Sequence, residues 1–188
     1  MKRAPRRTGA DVSNSLELFR PDLYFDRTSS VDLHALWGRG IRGLILDLDN
    51  TLVAWRSSDI PADVLDWAHR AKEMGFALCV ASNTRRYARL AKVCDAIGAM
   101  YVTGVSKPRR AGFRDAVWKM GLGKVQVAVI GDQLLTDILG AKRLGLLAIY
   151  VDRIAQRELF VTRFNRRIEA MILRRLVRSG RMPERQIG

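Results

Sequence analysis

Cysteine, histidine and long apolar runs are what this 188-residue chain has least of. Two cysteines, Cys79 and Cys94, are too few for a disulfide framework or a zinc site. Cys79 falls in the apolar run 76–81 and reads as a small core hydrophobe. The two histidines, His34 and His69, fall in predicted helices away from every strand end, and read as surface or packing residues rather than catalysts. No stretch reaches the roughly 18 uncharged apolar residues that a membrane-spanning helix needs. Residues 1–10 are basic but lead into no apolar segment, which argues against a secretory signal. These scarcities predict a cytoplasmic protein, with peripheral attachment to the inner face of the membrane as the other placement.

Acidic residues are also scarce, and unevenly so. The net charge is +14. Residues 1–10 contribute +4 through Lys2, Arg3, Arg6 and Arg7, and residues 153–188 contribute +7 through ten arginines against three glutamates. The middle is left with +3. Basic ends suit a polyanionic partner: anionic lipid, nucleic acid or a cluster of phosphates. A solubility role for the basic start is the competing reading.

What is present is a normal hydrophobic fraction, 48%, enough for one packed core. The chain divides into a basic tail and lead-in (1–40), a core domain (41–152) and a basic helical extension (153–188). Residues 11–30 read as a partly ordered lead-in. Ser29-Ser30 offers a cap for a short helix through Leu33, Leu36 and Trp37. From there strands and helices alternate: strand 43–48, helix from Pro61 to Gly75, strand 76–81, helix 85–97, strand 100–103, helix 112–120, strand 125–130, helix 136–144 and strand 146–151. The strands are continuous apolar runs. This predicts an α/β fold, a doubly wound parallel sheet covered on both faces, whose ligands bind beyond the carboxyl ends of the strands.

The conspicuous polar residues fall at those ends. Strand 43–48 runs into Asp47-Leu48-Asp49-Asn50-Thr51, delivering two carboxylates one residue apart. Carboxylates crowded at a strand end repel unless something binds between them, and hard divalent cations prefer oxygen ligands. The next strand ends in Ser82-Asn83, the third is followed by Lys107-Pro108, and the fourth ends in Gly131-Asp132 with Asp137 five residues on. Each alone reads as a cap or a turn. Four together, in this order, read as a site.

The sequence over 43–151 resembles the haloacid dehalogenase (HAD) superfamily of phosphohydrolases, whose four motifs match Asp47 to Thr51, Ser82-Asn83, Lys107, and Gly131-Asp132 with Asp137. A finer resemblance is to subfamily IIIA, the YqeG-like branch that includes phosphatidylglycerophosphate phosphatases. It rests on Asp47 to Val53 followed by Trp55, on Ser82-Asn83 and Lys107-Pro108, and on the run from Gly131 to Asp137.

The resemblance implies a Rossmann-like core and roles for these residues. Asp47 would be the nucleophile that forms an aspartyl-phosphate, and Asp49 the acid/base. Mg²⁺ would sit on Asp47, the backbone carbonyl of Asp49, and Asp132. Ser82, Asn83 and Lys107 would hold the phosphoryl group, with Lys107 also offsetting the nucleophile's charge. Asp137 would orient Lys107 or a metal-bound water. Thr51 would either hydrogen-bond near the nucleophile or cap a turn, and Trp55 would line the entrance or pack in the core or a lid.

Spacing bears on the substrate. Thr51 and Ser82 are 31 positions apart, and Asn83 and Lys107 are 24 apart. One helix and one strand fill each interval, so no cap domain fits. An open site suits a bulky substrate, or a small ester if a partner subunit covers the site. Beyond the core, Phe160, Val161, Phe164, Ile168, Met171, Ile172 and Leu176 recur at helical spacing, with Arg163, Arg166, Arg167 and Arg174 opposite. Leu173 falls outside the stripe, and Arg175 and Arg178 intrude on it. Such a basic amphipathic helix either lies on an anionic membrane or packs on protein. The expectation is therefore a Mg²⁺-dependent phosphatase for phosphatidylglycerophosphate at a membrane surface, with possible oligomerisation. The rivals are a phosphatase for a soluble ester (nucleotide, sugar phosphate or phosphoprotein) and, least favoured, a nucleic-acid-binding or regulatory protein with a vestigial site.

Overall fold

The computed structural model describes residues 16–154 and 162–188, with the backbone alone over 162–166. The basic stretch 1–10, Phe160, Val161, and the side chains of Arg163, Phe164 and Arg166 lie outside the described residues. A sheet of seven parallel strands runs through the molecule in the order β4-β3-β2-β5-β6-β1-β7. Five are the predicted ones: β2 (Gly43–Leu46), β3 (Ala77–Ala81), β4 (Met100–Val102), β5 (Val127–Gly131) and β6 (Leu147–Val151).

The other two come from the flanks. β1 (Leu23–Phe25) pairs with β6, and β7 (Arg185–Gln186) pairs with β1. They are three and two residues long, too short for a hydrophobic pattern. β1 is held instead by Asp22, which exchanges hydrogen bonds with the backbone of Ala148. The short helix α1 (Leu33–Gly38) is capped by Asp32, whose side chain accepts from Ala35 N at 2.9 Å. Ser29-Ser30 lies one turn earlier, in a 3₁₀ segment. Asp32 wins because the cap must sit immediately before the first helical residue.

The continuous apolar strands do cover two cores. Successive side chains point to opposite faces. Leu44, Leu46, Leu78, Val80, Ala128 and Ile130 face one layer with α1, α2 (Ala62–Glu73) and α3 (Tyr87–Ala96). Ile45, Cys79, Ala81, Val127 and Val129 face the other with α4 (Arg110–Lys119) and α5 (Leu139–Leu144). Burying each large aliphatic side chain is worth roughly 1.5–3 kcal/mol before the entropic cost of ordering it.

The C-terminal helix α6 (Thr162–Arg178) packs on this second layer. Ile172 and Leu176 are buried in it, and Ile168 and Leu173 pack against it. Met171 is 55% exposed. The buried stripe is thus rotated from the expected one, taking Leu173 in and leaving Met171 out. The rotation also removes the expected clash, because Arg175 and Arg178 now lie on the exposed side.

The strand order sets where a site can form. β2 leads outward to β3 and β4, and the chain then returns to place β5 on the other flank of β2. That reversal opens a crevice beyond the carboxyl ends of β2 and β5. Leu46 is in register with Ile130 and Val80, so Asp47 emerges beside Gly131-Asp132 and Ser82.

Candidate active site

The residues at these strand ends line a cleft of about 370 Å³. Asp47, Asp49, Ser82, Asn83 and Lys107 all face it, with Trp55, Gln133 and Thr136 around the mouth. Asp47 is fixed by its position: its N–H donates to Ile130 O at 3.0 Å, continuing the β2–β5 ladder for one step. The chain then turns tightly, with Asn50 in the left-handed region (φ 65°) and Asn50 N donating to Val53 O at 2.7 Å. The turn separates the two acids. Asp47 points into the buried floor, whereas the Asp49 carboxylate is partly exposed and turned toward α3.

Lys107 is the hub of the floor. Its ammonium donates to Asp47 Oδ1 and to Asp137 Oδ1, the latter at 2.7 Å. Its own N–H donates to Asn83 Oδ1 at 2.9 Å. Burial works against the ammonium, but Asp137 and Asp47 outweigh it and hold its pKa above the ordinary lysine value. Lys107 is therefore charged at neutral pH. Asp137 is tied down in turn, with Oδ2 accepting from Gln133 N at 3.3 Å. Gly131 makes room for it: a Cβ there would lie 2.4 Å from Asp137 Cγ. Asp137 rides on a single π-helical turn, Leu134–Ile138, directly after β5, a distortion frequent at functional sites.

The acids fit a cation. Asp47, Asp132 and Asp137 each offer a carboxylate oxygen within 4.8 Å of the others. Among the described residues no donor hydrogen-bonds Asp47 Oδ2 or Asp132 Oδ1, although both are buried, while Asp132 Oδ2 has only an ion pair, with Arg153 Nε at 2.9 Å. Burying unbonded carboxylate oxygens is costly. Desolvation pushes the Asp47 carboxyl up to about 7, with Lys107 opposing and Asp137 reinforcing. Desolvation, then Asp47 and Asp137, holds Asp132 well above the carboxylate range against Arg153 and Lys107. A divalent ion bonded to these oxygens would remove that penalty. Asp47 Oδ2 and Asp132 Oδ1 are the open oxygens; those of Asp137 are already engaged by Lys107 and Gln133. The Asp49 carboxylate is not in the group.

Two arginines were not apparent from sequence. Arg89, on α3, donates from Nη2 to Asp49 Oδ1 at 2.8 Å and from Nε to Ser57 O at 2.5 Å. Arg56 N adds a bond to the same Asp49 oxygen at 3.1 Å. Arg153, just past β6, lies with Nε 2.9 Å from Asp132 Oδ2 and with Nη2 3.0 Å from Glu169 on α6. Glu169 also accepts from Leu135 N at 3.2 Å, on the π-helical turn. One chain of contacts thus links the C-terminal helix to the floor. A charged residue on an amphipathic helix looks solvated in sequence, and only the tertiary contact distinguishes it.

Of the other candidates, Ser82 is buried with Oγ accepting from Thr84 N at 3.2 Å, and it lines the cleft. Thr51 does not line the cleft. It is buried behind it, its carbonyl accepting from Thr28 Oγ1 at 2.7 Å, while its own hydroxyl finds no bond among the described residues. His34 and His69 are exposed, and His69 contacts Ala96 O across the helix layer.

Comparison with known proteins gives the same direction. A family model described as HAD-hydrolase-like matches residues 104–159. The chain is 36% identical over 164 residues to the probable phosphatase YqeG of Bacillus subtilis (strain 168), covering 87% of this chain and 95% of that one. It is 28% identical over 162 residues to the chloroplastic/mitochondrial phosphatidylglycerophosphate phosphatase 1 of Arabidopsis thaliana, covering 81% of this chain but 47% of that longer protein. Among solved structures, an uncharacterized protein from Listeria monocytogenes serotype 4b superposes with a TM-score of 0.52 at 18% identity, over 63% of this chain and 85% of that one.

Proposed function

The chain belongs to the HAD-like phosphatases, in their YqeG-like branch, and from that premise we propose that it hydrolyses a phosphomonoester through an aspartyl-phosphate on Asp47. One observation carries the proposal. Asp47 presents an unbonded oxygen, Oδ2, at the floor of the cleft, while its other oxygen is held by Lys107. A carboxylate so held has one lone-pair face free for attack and a fixed cation beside it.

Attack by Asp47 on phosphorus forms the acyl phosphate as the P–O bond to the alcohol breaks, and Asp49 gives the departing oxygen its proton. Asp49 then takes a proton from the water that attacks the acyl phosphate, which restores Asp47 and releases inorganic phosphate. Arg89 and Arg56 N both take Asp49 Oδ1, which leaves Oδ2 for the proton. Lys107, Ser82 and Asn83 receive the phosphoryl oxygens, and Asp137 keeps Lys107 aimed. Mg²⁺ held by Asp47, Asp132 and the Asp49 carbonyl would supply positive charge to the phosphoryl group.

Phosphatidylglycerophosphate at an anionic membrane surface is the substrate this reading favours. The name of the Arabidopsis relative supports it, as does a cleft with no inserted domain over it. The exposed side of α6, with Arg167, Arg174 and Arg178 around Met171, offers an electrostatic contact to such a surface. A soluble phosphate ester is the second reading. The burial of Ile172 and Leu176 favours it, since the stripe that would enter a bilayer is used inside the protein.

The test is Mg²⁺-dependent phosphate release from vesicles carrying phosphatidylglycerophosphate, with Asp47→Asn as control. The expected result is release by the native chain and a loss of at least about a thousandfold in the variant. Full activity on soluble esters with none on vesicles would reject the lipid and keep the phosphatase. An Asp47→Asn protein as active as the native one would reject the mechanism.

A further inference from the structure

The mouth of the cleft holds more positive charge than phosphoryl transfer needs. Five basic side chains line it, Arg56, Arg85, Arg86, Arg89 and Lys107, against the acids Asp47 and Asp49. Lys107 and Arg89 are engaged by carboxylates. Arg56, Arg85 and Arg86 are exposed, and among the described residues no carboxylate pairs with any of them. Uncompensated like charges at one rim repel, so their clustering calls for an anion between them.

Their placement adds to this. Arg85 and Arg86 lead into α3, which has no side-chain cap and no acid in its first turn, so the helix end reinforces rather than cancels their charge. Arg56 lines the same cleft from the loop after β2. Its guanidinium stacks 4.7 Å from the Trp55 ring centroid. Its backbone is in the left-handed region (φ 65°), which is unusual for arginine, and its N–H bonds Asp49. The same residue thus positions the candidate acid and presents a cation to the rim. At about 370 Å³ the cleft is within the size range of sites that hold a small molecule rather than one phosphoryl group.

We infer that Arg56, Arg85 and Arg86 form a second anion subsite, which selects phosphomonoesters carrying another phosphate a few bonds from the one cleaved. This rests on the phosphatase reading above and deepens it. Arginine is suited to the task, because its planar fork binds phosphate oxygens in pairs. A lipid headgroup with a phosphodiester beside the phosphomonoester has this chemistry, and so has a soluble ester with two phosphates.

The experiment compares three substrates with Mg²⁺ present: glycerol 3-phosphate, the deacylated headgroup glycerophosphorylglycerol phosphate, and phosphatidylglycerophosphate in neutral vesicles. Native protein and an Arg85→Ala/Arg86→Ala double variant are both assayed, with melting curves to establish that the variant is folded. The native chain is expected to prefer the headgroup over glycerol 3-phosphate in kcat/KM by about 10- to 100-fold, mostly through KM, the scale of one or two charged hydrogen bonds. The double variant should lower that ratio by about tenfold or more, and added salt should erode it in the native chain.

A native ratio near one, or a ratio the folded variant leaves unchanged, overturns the subsite while the phosphatase stands. A preference seen on vesicles but not with the soluble headgroup also overturns it, since the bilayer would then be what is recognised. Turnover of none of the three overturns the lipid reading and this inference with it, and the phosphatase reading falls as well only if Mg²⁺-dependent release from other soluble esters is also absent.

Discussion

At the floor of the cleft Lys107 is bonded to Asp47 and Asp137, and all three are buried. At the rim Arg56, Arg85 and Arg86 stand exposed, with no carboxylate partner among the described residues. The floor is a fixed arrangement in which each group holds another, and it carries an excess of buried acid. The rim is loose and carries an excess of base. A phosphate-bearing substrate with a divalent ion would answer both imbalances, the ion at Asp47 and Asp132 and the anion at the arginines. The difference teaches that substitutions at the floor should change chemistry and stability together. Substitutions at the rim should change only which substrate binds.

The largest break in that contrast should come from Lys107→Met. It leaves Asp47 and Asp137 buried without their cation, and removing one partner of a buried pair costs about 3–5 kcal/mol. Phosphate release should fall by about 10²-fold or more, and thermal or urea melting should show the stability loss in the same protein. A variant that melts like the native chain would mean the floor is not the coupled unit described.

Asp132→Asn should separate the two properties. Its carboxyl is held well above the usual range by burial and by Asp47 and Asp137, so removing the charge should raise the melting temperature of chelated protein by about 2–4 °C. Added Mg²⁺ should then stabilise the native chain and leave the variant unmoved. The pH dependence has a defined sign. Because the Asp47 carboxyl is raised in the folded state, the chelated protein takes up a proton more readily folded than unfolded. Its stability should therefore rise as pH falls through about 7. Calorimetry across that range, with and without Mg²⁺, reads both effects.

Gly131→Ala should have a smaller, indirect effect. The new methyl must displace Asp137, which leaves Lys107 less well aimed. Turnover should drop by about tenfold with KM little changed, at a stability cost of about 1–3 kcal/mol. Smallest of all, Arg85→Ala should shift stability by no more than about 0.5 kcal/mol. A large destabilisation there would mean that the rim arginines are structural.

The catalytic candidates were legible in sequence because each stands at the end of an apolar run. The continuous apolar runs 43–46 and 127–131 fix the strands, and the first polar residues beyond them must emerge at one edge of the sheet. Asp47, Asp49, Ser82, Lys107 and Asp132 follow from that logic, and all of them meet there. The crossover geometry that puts β5 beside β2 is what joins Asp47 to Asp132. What was not legible depends on long-range contact. Arg89 and Arg153 look solvated until their carboxylates, 40 and 21 positions earlier, fold against them. β1 and β7 are too short to carry a pattern, and their pairing is supplied by the edge of β6. On α6, a rotation of the helix exchanges Leu173 for Met171, which helical spacing alone does not resolve for a stripe this broad.

The most direct test asks whether Asp47 becomes phosphorylated. Acid quenching during turnover, followed by borohydride, reduces an aspartyl-phosphate to homoserine, which peptide mass spectrometry locates. The mechanism predicts homoserine at position 47, dependent on both substrate and Mg²⁺ and absent from Asp47→Asn. Steady turnover with no modified residue, or with the modification at another aspartate, would contradict it.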